Sequence, residues 1–191
     1  ISIAVALDPG IVKGITQGPT IEYYNEYMNV NRKLDSLSKT ISSFIISQGY
    51  NTAYWGATED GIYGNDLTDL PHKTMATLSG LGWIGKNALL VTKEFGSAVR
   101  LTTVLTDINE YVEDKSIKES FCGNCRMCVD SCPGNAPSGK KWKRNLFRDD
   151  FFNAGFCREA AKGIAMEKIG INNTICGICI ANCPHTVNYI S

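Results

Sequence analysis

Apolar and polar residues alternate over residues 1–8, and this alternation predicts a β-strand. Over residues 20–48 apolar residues recur at three- and four-residue spacing, and Gly49 follows them. This spacing predicts one long helix or two consecutive helices. The stretch 51–58 is predicted as a further strand, whereas residues 59–70 are rich in Gly, Asp and Asn and are predicted as a loop.

The pattern changes again after residue 70. Residues 72–80 are predicted as a short helix that ends at Gly80, and the turn-rich stretch that follows leads into two apolar runs, 88–92 and 99–107. These runs are predicted as strands. Helices and strands therefore mix in the first part of the chain, and we predict an α+β fold, with one domain over residues 1–115 and a second over residues 116–191.

Composition and charge exclude some classes of function. Lys and Arg number 19, as do Asp and Glu, so net charge provides no attraction towards nucleic acid or an anionic membrane. No apolar run approaches the roughly 18 residues of a membrane helix, and the first residues lack the basic start of a signal peptide. We expect a cytoplasmic protein without membrane contact. Because the chain begins inside a predicted strand, we also expect a further segment upstream.

Cysteine spacing carries the chemistry of the second part. Cys122, Cys125, Cys128 and Cys132 follow the pattern C-x2-C-x2-C-x3-C, and Pro133 closes it. Such closely spaced cysteines are poor disulfide partners, but they are well placed to converge on one inorganic cluster. Zinc would account for two C-x2-C pairs but not for the remaining features of the run. The spacing therefore favours [4Fe–4S] ligation over zinc and over disulfides.

The distribution of eight cysteines predicts two clusters. In two-cluster ferredoxins the fourth cysteine of each run ligates the other cluster. A helix that starts near Cys132 and Pro133 is expected to carry the fourth sulfur away from the first loop. The first cluster is then predicted to bind the three leading cysteines of the first run and the last cysteine of the second: Cys122, Cys125, Cys128 and Cys183.

The second cluster receives Cys132, Cys176 and Cys179 and lacks one ligand. The only cysteine that remains in the chain is Cys157, so we predict it as the fourth ligand. The alternative is that Cys157 is a buried free thiol, which is common for lone cysteines. The deficit of one ligand argues for the cluster.

A glycine-rich stretch over residues 79–87 is the candidate cofactor segment of the first part. Its glycines free the backbone to turn tightly and to approach a ligand closely, while its Trp, Lys and Asn side chains add a flat apolar surface and polar groups. A dinucleotide-binding turn fits poorly, because no strand precedes it. A purely structural turn is the other alternative. The predicted cofactor-binding residues are Gly80, Gly82, Trp83, Gly85, Lys86 and Asn87.

The stretches 78–107, 121–136 and 176–184 together resemble the epoxyqueuosine reductases and the related reductive dehalogenases. The resemblance covers about residues 65–185. It implies a nitroreductase-like domain that holds a cobalamin, followed by a ferredoxin-like domain with two [4Fe–4S] clusters that supply electrons to the cobalt. These families also use a lone cysteine between the two runs, in agreement with Cys157. FMN is the alternative cofactor, because the nitroreductase-like fold commonly holds a flavin.

The resemblance also implies a proton donor upstream of the glycine-rich stretch. Asp66 lies at the matching offset, and Asp69 and His72 are alternatives because the surroundings differ from the family pattern. Reductive dehalogenases use a tyrosine as the acid, which makes Tyr23, Tyr24 and Tyr27 weaker candidates. The plain alternatives are a solvated loop for the first group and ordinary helix packing for the tyrosines.

Partners and substrate are less well defined. Residues 139–148 carry five basic residues around Trp142, and we expect this stretch to dock an electron-donor protein of the ferredoxin or flavodoxin type. Transfer RNA is not an expected partner, because net charge is zero and the family's C-terminal helical repeats do not follow Cys183. The expected activity is reduction of an unidentified substrate. The alternatives are a ferredoxin-like carrier or a corrinoid-reducing accessory protein without its own substrate.

Overall fold

The computed structural model describes residues 1–57, 68, 70–110 and 113–191. Five strands and seven α-helices are found in this part of the chain, with a 3-10 turn at Arg148–Asp150 before the fifth helix. In chain order the elements are β1 (Ser2–Ala6), α1 (Pro9–Lys13), α2 (Ile21–Ser47), β2 (Thr52–Tyr54), α3 (His72–Leu78), β3 (Trp83–Ile84), β4 (Leu90–Val91), β5 (Val99–Thr106), α4 (Met127–Asp130), α5 (Ala154–Ile169), α6 (Ile178–Ala181) and α7 (Pro184–Ile190).

Two antiparallel sheets form the β-structure. The larger has the order β1-β5-β2, with Ser2 opposite Thr103 and Tyr54 opposite Val104. The smaller is the β3–β4 hairpin, in which Trp83 pairs with Val91. Each of the four predicted strand regions includes a strand of the structure. These regions are the start of the chain and residues 51–58, 88–92 and 99–107. Most of the loop predicted over residues 59–70 lies outside the described residues.

Helix α2 is a single helix and covers the larger sheet. It begins where the Thr20 hydroxyl accepts a hydrogen bond from the backbone N–H of Tyr23 at 3.2 Å. Its buried residues recur at helical spacing and include Leu34 and Ser38, whose hydroxyl shares a 2.9 Å hydrogen bond with that of Thr102 on β5. This contact satisfies two polar groups inside the core, so the helix is held in register on the sheet.

One hydrophobic core joins the two parts of the chain. Residues of α1 and α2 pack with residues of α5 and α6 and with Ile175, so apolar side chains from both sides of residue 115 are buried together. The boundary between residues 115 and 116 stays a prediction, but the two parts share their interior. The largest cluster of the core contains Leu7, Val12, Ile15, Tyr23, Val30, Leu34, Ala57, Ala98, Ala165, Ile175 and Ala181.

Helix α7 is held against the turn before β5. The backbone N–H of Ser97 donates to the Thr186 hydroxyl at 2.9 Å, and the Tyr189 hydroxyl donates to the carbonyl oxygen of Leu7 at 2.8 Å. Gly96 has φ +57°, and a Cβ atom there would lie 2.2 Å from the Thr186 nitrogen. Only glycine permits this close approach. The helix carries the end of the second cysteine run, so this contact positions Cys183.

The helix predicted near Cys132 and Pro133 is wrong. Helix α4 precedes Cys132, and the residues that follow Pro133 form a turn in which Asn135 has φ +49°. The turn is enforced by packing, since a Cβ atom on Gly134 would lie 2.6 Å from the carbonyl oxygen of Phe156 in α5. In the second run Pro184 does begin a helix, α7. In the part of the chain that the structure describes, no helix combines the length and hydrophobicity needed to cross a membrane.

Candidate functional site

Four thiols from two distant runs line one cavity. Cys122, Cys125 and Cys128 of the first run and Cys183 of the second line the same cavity, which has a volume of about 90 Å³. All four thiols are free. These are the residues predicted to bind the first cluster, and the structure brings them together; ligation itself stays a prediction. We call them the first cysteine group.

The other four cysteines form the second cysteine group: Cys132, Cys157, Cys176 and Cys179. Their proximity is visible in their electrostatics. The pKa of Cys157 is raised to about 11, mainly by burial and also by the charges of Cys132 and Cys176. Burial also raises the pKa of Cys179 well above its ordinary value, with further contributions from the other three members. Cys157 therefore lies among the predicted ligands rather than alone.

The two groups adjoin each other. The pKa of Cys128 is raised to about 12. Burial is the main cause, and the charges of Cys122, Cys183 and Cys125 in its own group raise the pKa as well. Cys128 in turn raises the pKa of Cys179 in the second group. Within residues 1–57, 68, 70–110 and 113–191 no three His, Cys, Asp or Glu side chains converge tightly enough for a single metal ion.

The glycine-rich stretch lies against the first cysteine group. The Trp83 indole Nε1–H donates to Cys122 Sγ at 3.4 Å. The Lys86 ammonium donates to the carbonyl oxygens of Gly123 at 3.0 Å and Cys125 at 2.7 Å. Asn87 donates to the Ser97 hydroxyl at 3.1 Å, and both Lys86 and Asn87 line the cavity of the group. The polar members of this stretch thus face the cysteines.

Its glycines make close contacts with protein. A Cβ atom on Gly80 would lie 2.7 Å from the carbonyl oxygen of Lys115, and one on Gly82 would lie 2.2 Å from that of Val91. A Cβ atom on Gly85 would meet the side chains of Asn87 and Val91. These contacts account for the three glycines as parts of a tight protein turn. Contact between this stretch and a planar cofactor stays a prediction.

A large cavity opens on the other side of the β3–β4 hairpin. Its volume is about 660 Å³, and it is lined by residues from well-separated parts of the chain. Ile84, Leu89 and Leu90 of the hairpin region form one wall, and Trp142 and Phe151 contribute aromatic surface. The predicted cofactor-binding residues are not among its described lining residues. The cavity also reaches Thr174 and Ile180, which flank the cysteines Cys176 and Cys179.

Three cationic side chains line the large cavity: Lys73, Arg100 and Arg148. The pKa of Lys73 is lowered to about 8, mainly by burial and also by the charges of Arg148 and Arg100. The Lys73 ammonium donates to the carbonyl oxygen of Ala88 at 2.7 Å. Arg100 donates to Asn31 Oδ1 at 2.9 Å, and its guanidinium lies 4.3 Å from the ring centre of Tyr27. Arg148 forms an ion pair with Asp149 at 2.8 Å. The described lining therefore contains basic side chains that already contact other protein groups.

Two of the predicted acid candidates line this cavity. Tyr23 is buried, and burial raises the pKa of its hydroxyl, so the hydroxyl is protonated at neutral pH. His72 contacts the Thr103 hydroxyl through Nδ1 and the carbonyl oxygen of Gly56 through Nε2, each at 3.0 Å. Since a carbonyl oxygen only accepts, Nε2 carries a proton in this arrangement. A catalytic role for either residue stays a prediction.

The remaining candidates fall elsewhere. Tyr27 lies beneath Arg100, and Tyr24 packs against the core, so helix packing accounts for both. Asp66 and Asp69 lie outside the described residues.

Sequence reasoning missed several site residues. Lys73 and Arg100 gave no signal, because single basic residues in a helix and a strand are common. Trp142 and Arg148 belong to the basic stretch 139–148, which was singled out as a docking surface, yet they line the large cavity. His185 follows the last Cys-Pro pair, lines the first cysteine group's cavity and packs edge-on against Trp83 with ring centres 5.0 Å apart.

Comparison with known proteins identifies relatives. No protein-family model matches the chain. An epoxyqueuosine reductase of Atelocyanobacterium thalassa is 44% identical over 71 residues, which are 37% of this chain and 23% of that protein. A tetrachloroethene reductive dehalogenase of Desulfitobacterium hafniense is 31% identical over 177 residues, which are 91% of this chain and 27% of that protein. The chain is homologous to both. It spans about a quarter of the length of each of these relatives.

Solved structures share the fold. A catabolic reductive dehalogenase in complex with 3-bromo-4-hydroxybenzoic acid matches with a TM-score of 0.73 and 17% identity over 97% of this chain and 25% of that one. A reductive dehalogenase whose structure suggests a mechanism for B12-dependent dehalogenation matches with a TM-score of 0.71 and 16% identity. The match covers 96% of this chain and 25% of that one. The epoxyqueuosine reductase from Streptococcus thermophilus matches with a TM-score of 0.54 and 24% identity. The match covers 97% of this chain and 48% of that one.

These findings confirm the resemblance to the two groups of reductases and a fold of mixed helix and sheet. The finer division into a nitroreductase-like domain and a ferredoxin-like domain stays a prediction.

Proposed function

We propose that the chain is the cluster-binding and cofactor-binding part of a reductase, in which the two cysteine groups hold [4Fe–4S] clusters and the large cavity holds a corrinoid. When bound, the clusters supply single-electron transfer, and the reduced cobalt of the corrinoid supplies the reducing centre. The observation that carries this proposal is the grouping of thiols from two distant runs around one cavity, with a second group beside it.

The donor set fits the clusters. Each group offers four free thiols, and thiolates are the usual ligands of [4Fe–4S] centres. Burial, followed by the charges of neighbouring cysteines, raises the pKa values of Cys128, Cys157 and Cys179. A cationic iron–sulfur core at each group would relieve that repulsion, so the arrangement is electrostatically suited to binding one.

We propose that electrons pass from the first group to the second. The loop of the first group lies at the surface, where Phe121 is 54% and Met127 is 49% exposed. The second group adjoins the first through Cys128 and Cys179, and it adjoins the large cavity through the residues next to Cys176 and Cys179. With clusters bound, the first group would be suited to accept electrons from a donor protein, and the second group would lie between it and the cavity.

The large cavity supports cofactor and substrate binding by its residues. Its hairpin wall and aromatic side chains provide apolar surface for a macrocycle, while Lys73, Arg100 and Arg148 provide positive charge. Tyr23 supplies a protonated hydroxyl at the same cavity. The relatives act on chlorinated or epoxide-bearing compounds by name, so the proposed reaction here is reduction of a substrate admitted to this cavity.

A flavin in the same cavity is the second candidate for the cofactor. The basic side chains of the described lining would also suit the phosphate of FMN, and a carrier or accessory role would require neither cofactor.

Spectroscopy separates these functions. The full chain is reconstituted anaerobically with iron and sulfide, then titrated separately with cobalamin and with FMN. We expect saturable changes in the cobalt-corrinoid bands on top of the broad iron–sulfur absorbance. Saturable flavin binding with no corrinoid binding would favour the flavin reductase, and binding of neither would favour the carrier.

A further inference from the structure

The first cysteine group has two side-chain hydrogen-bond donors of its own, Trp83 and Lys86. Both come from the glycine-rich stretch, and both are almost entirely buried, with 2% and 5% of their surface exposed. The indole N–H points at a thiol sulfur, and the ammonium points at two carbonyl oxygens of the loop that carries Cys122 and Cys125. A buried ammonium among carbonyl oxygens is costly to desolvate, so its placement calls for a physical reason.

We infer that Lys86 and Trp83 are positioning residues that raise the reduction potential of a cluster held by the first cysteine group. The inference rests on the proposed function, since it takes the cluster assignment as given.

Electrostatics gives the direction of the effect. Adding one electron to a [4Fe–4S] centre increases its negative charge, and a nearby cation stabilises the more negative state. Burial strengthens this interaction because little water is present to screen it. Hydrogen bonds to cluster sulfurs and ligand sulfurs act in the same direction, since they stabilise electron density on sulfur. Both Lys86 and Trp83 therefore favour the reduced form.

The contacts are specific to the first group. Lys86 bridges Gly123 and Cys125, which bracket the outer turn of the first loop, and it lines the cavity of that group. Trp83 is fixed by its neighbours, because its ring packs against Phe121 and edge-on against His185. In the second group Cys132 Sγ accepts a 3.4 Å hydrogen bond from the backbone N–H of Ala136, which a side-chain substitution does not remove.

A functional consequence follows for the entry of electrons. The first group receives the electrons in the proposed route, and a higher potential would make its cluster a better acceptor from a donor protein. Lys86 and Trp83 would then set how readily the chain is reduced, without touching substrate.

The test is a redox titration of the reconstituted full chain followed by electron paramagnetic resonance. Lys86→Met keeps most of the side-chain length but removes the charge, and Trp83→Phe keeps an aromatic ring but removes the N–H. Lys93→Met removes a charge from an exposed lysine and is the matched control. Signals are assigned to the two clusters by comparison with Cys122→Ser and Cys157→Ser.

We expect Lys86→Met to shift the midpoint potential of the first cluster to a more negative value and Trp83→Phe to shift it less, in the same direction. The second cluster and the Lys93→Met control should keep the parental values. If both variants have full iron content and unchanged midpoint potentials, the inference is wrong but the proposed function is not affected. If the parent chain binds no cluster, the proposed function itself is wrong. If Lys86→Met leaves the first group empty, Trp83→Phe decides, and an unchanged midpoint there overturns the inference.

Discussion

Lys73 and Cys157 interact electrostatically between the large cavity and the second cysteine group. Burial lowers the pKa of Lys73 and raises that of Cys157, and the charged form of each residue opposes the shift of the other. Because the pKa of Cys157 is raised to about 11, the two residues attract each other as ions only once the Cys157 thiol has lost its proton. Lys73 is a lining residue of the cavity, whereas Cys157 belongs to the group of four thiols. The pair therefore links the proposed cofactor site to the cluster that would serve it.

Replacing Cys157 tests the membership of the second group. We expect Cys157→Ser to lose the second cluster and keep the first, so that the iron content falls by about half. The mirror variant, Cys122→Ser, should lose the first cluster and keep the second. The measurement is iron content with electron paramagnetic resonance of the reduced protein. Full iron and an unchanged spectrum in Cys157→Ser would remove this residue from the ligand set.

Iron retention should depend on pH. The pKa of Cys128 is raised to about 12 and that of Cys157 to about 11, mainly by burial, so these thiols hold their protons at neutral pH when no metal is bound. Cluster binding requires thiolates and therefore releases protons. Falling pH then favours the metal-free form, and we expect a chelator to remove more iron at about pH 6 than at about pH 8. Iron loss that is independent of pH, after correction for protonation of the chelator, would contradict this account.

Local patterns in the sequence predicted much of the fold and the cysteine groups. The helical spacing over residues 20–48 and the spacing within each cysteine run are short-range features, so they could be recognised without the structure. The lining of the large cavity could not, because it gathers residues as distant as Trp55, Lys73 and Arg148. The turn after Pro133 also depends on a distant neighbour, Phe156, and the local pattern wrongly predicted a helix there.

Gly96 should be intolerant of any side chain. We expect Gly96→Ala to lower stability, because its Cβ atom would meet the Thr186 nitrogen and push α7 away. Gly170→Ala is the matched control. Gly170 has a similar positive φ, +67° compared with +57° for Gly96, but no atom lies within 4 Å of the position that a Cβ atom would take. The control should cost about 1–2 kcal/mol from backbone strain alone. Gly96→Ala should cost a further ~1–3 kcal/mol from overpacking.

The same pair of variants separates packing from cluster binding. Because Cys183 immediately precedes α7, Gly96→Ala should also weaken iron binding by the first cysteine group, whereas Gly170→Ala should not. Thermal unfolding followed by circular dichroism, with iron content measured in parallel, makes the comparison. Equal stability of the two variants would contradict the close packing of α7 on this turn.

Filling the large cavity should block the cofactor. Leu89 is half-buried and lines the cavity wall next to the hairpin. We expect Leu89→Trp to weaken cobalamin binding by tenfold or more (roughly 1.4 kcal/mol or above), because the added ring occupies the space that a macrocycle needs. Leu89→Met keeps a similar volume and serves as the control. Both variants should retain full iron, and unchanged cobalamin affinity in a folded Leu89→Trp protein would place the cofactor elsewhere.

The iron content of the intact chain tests the central claim most directly. After anaerobic reconstitution and removal of unbound metal, we expect about eight iron and about eight sulfide per chain, as two [4Fe–4S] centres require. Mössbauer spectra should show only iron in four-iron cubes, and zinc should be absent. About four iron per chain, or stoichiometric zinc bound in place of iron, would contradict the assignment of all eight cysteines to two clusters.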